Sequence, residues 1–252
     1  MSDIGAGTEH QGRVKYWCMS IDLLVFGPHP DDLEIGLGGT IAKHVAEGQV
    51  VGLCDLTEGE MSTNGTVAER RDEAGAAARV LGAAWRENLR WPDGDISATP
   101  EAIRSAVDLI RRHRPRTIAI PYWDDPHPDH VASSQVLKLA IFKSRLRGYA
   151  TGVDPWAPDW ICYYFINNSV TPSFVVDVSA HYDKKREALA CHRTQFQPAG
   201  AGAVATRLSA PTFRQLIESR DAQFGALAGV AWAEGIVVRE PVRRSGVLKH
   251  LP

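Results

Sequence analysis

IDLLVFGPHPDDLEIGLGGTIAKH, residues 21–44, is the stretch on which the fold reading turns. Residues 21–26 form a short, mostly apolar run ending at Gly27, and residues 35–47 carry apolar side chains at helical spacing, so a strand leads through a tight turn into a helix. The pattern repeats. Residues 49–56 read as a strand and 67–81 as an Ala-rich helix. Residues 87–91 and 100–112 give another strand and helix, and residues 117–121 and 131–146 give a fourth pair. Four strand-then-helix units in succession predict an α/β, Rossmann-like fold: an open, mostly parallel sheet with helices on both faces. Beyond Gly148 a Pro- and Trp-rich connector leads to strands at 161–166 and 174–178 and a helix from 180 to about 192. A last helix is predicted near 211–227, and residues 235–239 read as an edge strand.

Composition narrows the function classes. The 252 residues carry 28 basic and 30 acidic side chains, a net charge of -2, which leaves no broad basic surface for nucleic acid or an anionic membrane. The longest apolar run, residues 224–233, is about half of what a membrane-spanning helix needs. The four cysteines, Cys18, Cys54, Cys162 and Cys191, form no C-x-x-C pair, which fits a reducing cytoplasm. Residues 1–18 are polar, show neither period 2 nor period 3.6, and read as a leader without secondary structure. Residues 19–252 read as one domain.

One short sequence occurs twice. Pro28-His29-Pro30-Asp31 and Pro126-His127-Pro128-Asp129 are the same tetrapeptide, each following a buried strand and preceding a helix. In a parallel sheet the loops at the carboxyl ends of the strands line the ligand crevice, so both motifs face one cleft. Their residue types match a catalytic zinc site with three His or carboxylate ligands and a fourth position left for water. His29, Asp32 and His130 supply the three ligands. Asp31, beside a ligand and aimed elsewhere, suits the general base. His127 suits the group that stabilises an oxyanion as a cation or protonates a leaving amine. Asp129 is placed to orient His127 or His130. Two histidines and an aspartate accept iron(II) as well as zinc. The competing structural reading makes Asp31 and Asp32 helix caps and the prolines turn punctuation.

Other features read more quietly. Gly36, Gly38 and Gly39 lack the G-x-G-x-x-G spacing and read as close helix packing. The polar loop 57–66 leads to Glu69-Arg70-Arg71, where a guanidinium can grip a carboxylate or phosphate. Asn64, in the turn of that loop, is assigned with Arg70 to the substrate. His192 reads as a helix-end residue meeting the macrodipole. His10, His44, His113, His181 and His250 read as surface residues.

The stretch LLVFGPHPDDLEIGLGGTIAKH and the later PHPDH resemble the zinc-dependent N-acetylglucosamine deacetylases of the PIG-L/LmbE family. The segments CDLTEGEMSTNGTVAERRDEAGAAARVLG, RENLRWPDG, ESRDAQFG and AEG resemble its bacillithiol-biosynthesis branch, which deacetylates N-acetylglucosaminyl malate. The resemblance implies the same ligands His29, Asp32 and His130, the base Asp31 and the electrostatic partner His127. It places Arg70 on the malate carboxylates, ahead of Arg71, and it implies a homo-oligomer, often a hexamer. The alternatives are a deacetylase of another N-acetylglucosamine conjugate (chitobiose, inositol-linked or an antibiotic sugar) and a non-catalytic Rossmann-like module that binds a nucleotide or sugar.

Overall fold

The computed structural model describes residues 21–243. The expected leader at 1–18, with His10 and Cys18, and His250 near the other end lie outside the described residues. The chain folds into strands β1 (Leu23–Gly27), β2 (Val51–Thr57), β3 (Trp85–Trp91), β4 (Thr117–Pro121), β5 (Trp160–Tyr164), β6 (Phe174–Asp177) and β7 (Ala233–Val237). The helices are α1 (Asp32–Ala46), α2 (Val67–Leu81), α3 (Pro100–His113), α4 (Pro128–Ser144), α5 (Tyr182–Cys191), α6 (Arg193–Phe196) and α7 (Pro211–Ala228).

The strands form one sheet in the order β3-β2-β1-β4-β5-β7-β6. The pairings from β3 through β5 are parallel, while β7 runs antiparallel to both β5 and β6. This is the expected α/β sheet. Alternate residues of β1 serve opposite faces, as the pleat requires. Leu24 and Phe26 pack with Ile103 and Val107 of α3 and Val136 and Leu137 of α4. Leu23 and Val25 pack with Leu33 and Ile41 of α1, Ala77 and Leu81 of α2, and Leu189 of α5.

β7 was expected at a sheet edge, and the structure places it inside. It sits between β5 and β6, all five residues are buried, and β6 is the edge. Strand order depends on pairing partners far away in sequence, which a local apolar run does not record.

β7 also explains the shape of α1. At Leu37 the backbone leaves helical geometry (φ -134°), which frees peptide groups on either side. Glu234 accepts hydrogen bonds from the Gly39 N–H (3.0 Å) and the Thr40 N–H (2.7 Å), capping the second half of the helix. Arg220 donates to the Ile35 carbonyl at 2.7 Å. Lys185, fully buried, bonds Glu234 at 2.6 Å and Asp221 at 2.7 Å. The α1 glycines serve close packing, as expected. A Cβ on Gly36 would lie 2.2 Å from the Tyr164 ring. Among the described residues, no helix is long and apolar enough to cross a membrane.

Candidate metal centre

Because β1 and β4 are adjacent and parallel, the loops that follow them meet at one end of the sheet. The first loop carries His29, Asp31 and Asp32, and the second carries His127, Asp129 and His130. Asp32 Oδ2 lies 3.1 Å from His29 Nδ1 and 3.3 Å from His130 Nε2. It also accepts the His29 backbone N–H at 3.0 Å. The three residues expected as ligands therefore converge, and all three are buried.

The opposite nitrogen of each imidazole is held by carboxylates. His29 Nε2 is 3.1 Å from Asp129 Oδ2 and 3.1 Å from Asp93 Oδ1. His130 Nδ1 is 3.0 Å from Asp125 Oδ1. A carboxylate behind an imidazole fixes its tautomer and leaves the other nitrogen's lone pair facing inward, the usual support of a metal-ligating histidine. The donor set thus fits a divalent metal: two imidazole nitrogens and one carboxylate oxygen, braced from behind.

The electrostatics agree. Burial by itself would lower the His29 pKa, but hydrogen bonds to Asp129, Asp32 and Asp93 carry it well above the usual range. Burial also opposes the charge on His130, yet Asp32 and Asp125 raise it to about 9. Asp32 falls well below the ordinary carboxylate range, because His130 and His29 outweigh its burial. Carboxylates dominate this pocket, and a cation at its centre would replace the protons they hold on the imidazoles.

Two groupings among the described residues have ligand atoms all within 4.8 Å of one another, His29, His127 and His130, and His29, Asp93 and Asp129; Asp32 belongs to neither. The first is opposed by the bonding of His127. Its Nδ1 accepts the Asp129 backbone N–H at 3.2 Å at the start of α4. The neutral ring then carries its proton on Nε2, which makes that nitrogen a donor instead of a ligand. His127 was expected as a cation. Burial first, and then the neighbouring His130 and His29, push its pKa down.

Asp31 stands at the N-cap of α1 with φ 131° and ψ -26°, a conformation costly for a residue with a Cβ. Arg70 holds it there. The guanidinium donates to the Pro30 carbonyl at 2.6 Å, to Asp31 Oδ2 at 3.3 Å and to the Gly59 carbonyl at 3.3 Å. Burial raises the Asp31 pKa to about 6 against the opposing pull of Arg70.

The placement of Arg70 differs from the expectation. It was assigned to the substrate's carboxylates, and the structure buries it against Asp31 and the loop before it. Asn64 differs as well. Its amide is taken up by the backbone of Val204, donating to the carbonyl at 2.8 Å and accepting the N–H at 3.0 Å, so it clamps the 198–213 loop. The Asp129 carboxylate braces His29, where His127 or His130 was expected. His192, read as a helix-end residue, is fully buried with Nε2 3.3 Å from Glu34 Oε2. Glu34 in turn is bound by Arg86, which also grips Asp55 with two bonds of 2.7 and 2.8 Å.

Sequence reasoning missed Asp125, Asp93 and Asn167. Asp125 had a signal, since it lies two residues before His127 in the repeated motif. Asp93 sits in a WPDG turn after β3, where an acidic residue at a strand's carboxyl end suggests the crevice. Asn167, which donates to Asp125 at 3.0 Å, follows β5 with nothing local to mark it.

Comparison with known proteins gives the family and the fold. Residues 24–141 match the PIG-L family model, described as GlcNAc-PI de-N-acetylase. The chain is 29% identical over 232 residues to the diacetylchitobiose deacetylase of Thermococcus kodakarensis, covering 85% of this chain and 81% of the relative. It is 31% identical over 231 residues to the 1D-myo-inositol 2-acetamido-2-deoxy-alpha-D-glucopyranoside deacetylase of Mycobacteroides abscessus, covering 69% of this chain and 81% of the relative. The crystal structure of a conserved protein from Thermus thermophilus superposes with a TM-score of 0.83 at 35% identity, covering 91% of this chain and 100% of that one.

Proposed function

The chain belongs to the PIG-L family, and on that premise we propose that it is a zinc-dependent N-deacetylase of an N-acetylglucosamine conjugate, with N-acetylglucosaminyl-L-malate as the substrate and acetate and the free amine as products. One observation carries the reading: Asp32 Oδ2 lies between the inward nitrogens of His29 and His130, with Asp31 as its chain neighbour.

His29, Asp32 and His130 would hold the metal. When bound, such an ion supplies Lewis acidity, polarising an amide carbonyl and making water easier to deprotonate. The protein's own groups do the rest. Asp31, held in its strained conformation by Arg70, takes a proton from the attacking water as the new C–O bond forms. His127, with its Nδ1 engaged by the Asp129 N–H, presents Nε2–H to the oxygen on which negative charge develops. As the C–N bond breaks, the departing nitrogen collects from Asp31 the proton that it took from the water, and acetate leaves. Asp129, Asp93 and Asp125 keep the imidazoles in register throughout.

Support for an N-acetylglucosamine conjugate comes from the named activities of the relatives, which act on chitobiose and inositol conjugates. Support for malate comes from the motif resemblance alone. The test is acetate release from N-acetylglucosaminyl malate, diacetylchitobiose and free N-acetylglucosamine, before and after treatment with a chelator and on adding zinc back. Release that stops with the chelator and returns with zinc is expected, highest on the malate conjugate. A protein that carries no metal and releases no acetate from any of the three would overturn the reading.

A further inference from the structure

If Arg70 is engaged by Asp31, another cation has to meet a charged aglycone. The 198–210 segment supplies one. It runs between two rims of the crevice. At one end Val204 is bound through both backbone groups to Asn64 in the loop after β2. At the other, Arg207 Nη1 donates to Asn167 Oδ1 at 2.8 Å in the loop after β5. Between β2 and β5 in the sheet stand β1 and β4, whose loops carry the metal-centre residues.

Arg207 is coupled to that centre by a short chain of contacts. Asn167 gives its backbone N–H and its side-chain N–H to Asp125, each at 3.0 Å, and its Nδ2 lies 3.4 Å from His130 Nδ1. Asp125 in turn holds His130. The guanidinium also rests 5.0 Å from the centre of the Phe213 ring, which limits where it can swing. The residue is exposed, and among the described residues its guanidinium makes no other hydrogen bond. Several of its N–H groups are therefore available, in the planar arrangement that matches a carboxylate with two parallel bonds. An aglycone on the sugar's C1 is adjacent to an acetamide on C2, so a substrate with its acetamide at the metal centre can direct its aglycone to the rim that borders His130.

We propose that Arg207 is a specificity-determining residue that recognises a carboxylate on the substrate's aglycone. The proposal rests on the deacetylase reading above and deepens it. It also gives Asn64 and Asn167 a purpose: each amide anchors the segment that carries Arg207.

The test compares N-acetylglucosaminyl malate with the uncharged methyl N-acetylglucosaminide, on wild type, R207M and R207K. R207M is expected to lower kcat/KM for the malate conjugate about tenfold more than for the methyl glycoside, chiefly through KM, with partial rescue in R207K. Calorimetric binding of the two compounds should show the same discrimination. Equal losses on both compounds, or a wild type that prefers the methyl glycoside, would overturn the role of Arg207 and leave the deacetylase reading standing. A wild type that deacetylates neither compound defeats that reading. The calorimetry then decides about Arg207: selective loss of malate-conjugate binding in R207M supports the role, and no binding or equal binding refutes it.

Discussion

Two clusters of buried charge in this fold are built differently. In the first, Lys185 and Arg220 meet Asp221 and Glu234, two cations against two carboxylates, and Tyr182 donates to Asp221 at 3.1 Å. None of the side-chain atoms of Lys185, Arg220, Asp221 and Glu234 is without a partner. In the second, Asp31, Asp32, Asp93, Asp125 and Asp129 crowd around two imidazoles and one guanidinium. Close to it, Arg70 Nε and His192 Nδ1 lack hydrogen-bond partners, His192 Nε2 and Glu34 Oε2 meet only each other at 3.3 Å, and Asp31 holds a strained backbone. Matched charge makes architecture, here the bracing of a kinked α1. A surplus of carboxylate around histidines makes a place for a cation and for moving protons.

That contrast is open to direct attack. The largest effect is expected from Asp31→Asn, which removes the proposed proton acceptor while keeping the shape: turnover should fall by about 10²–10⁴-fold with zinc content and unfolding midpoint near wild type. Acetate release beside metal analysis checks this, and retained turnover would remove Asp31 from the base role. Lys185→Met should do the reverse. It strands two buried carboxylates and is expected to cost about 3–5 kcal/mol of stability in urea unfolding. The protein that remains folded should still bind zinc.

Asp125→Asn tests whether the carboxylates behind the imidazoles belong to the metal centre. Zinc affinity, measured by competition with a chromophoric chelator, is expected to drop about 10–100-fold, with little change in the stability of the metal-free protein. The smallest effect is expected from Glu234→Gln, which keeps an acceptor for α1 but loses the charge opposite Lys185, at about 1–3 kcal/mol in the same urea assay. If this variant lost zinc while staying folded, the two clusters would not be separable.

Much of the second cluster was legible because its chemistry is carried by a local motif. A repeated Pro-His-Pro-Asp after two buried strands states both the residue types and their placement at strand ends, and the strand-helix alternation makes those ends neighbours. The bracing partners were less legible. Asp93 comes from the loop after β3 and Asn167 from the loop after β5, and a contact between residues far apart in sequence leaves no local period or spacing. Arg70 and Asn64 show a different limit. Their identity as polar crevice residues was apparent, but a guanidinium or an amide satisfies whichever partner the fold delivers. Here those partners were Asp31 and the Val204 backbone.

Local pattern determined the α/β class, the helix and strand periods, and the ends of β1 and β4 as the place where chemistry would gather, because each of these depends on side chains within one element or one turn. Tertiary structure alone decided that β7 enters the sheet between β5 and β6, that Glu234 caps the kink of α1, that His192 is buried, and which nitrogen of each histidine faces inward. Those outcomes follow from which distant groups come within hydrogen-bonding distance once the chain has folded, and a linear sequence does not record distance.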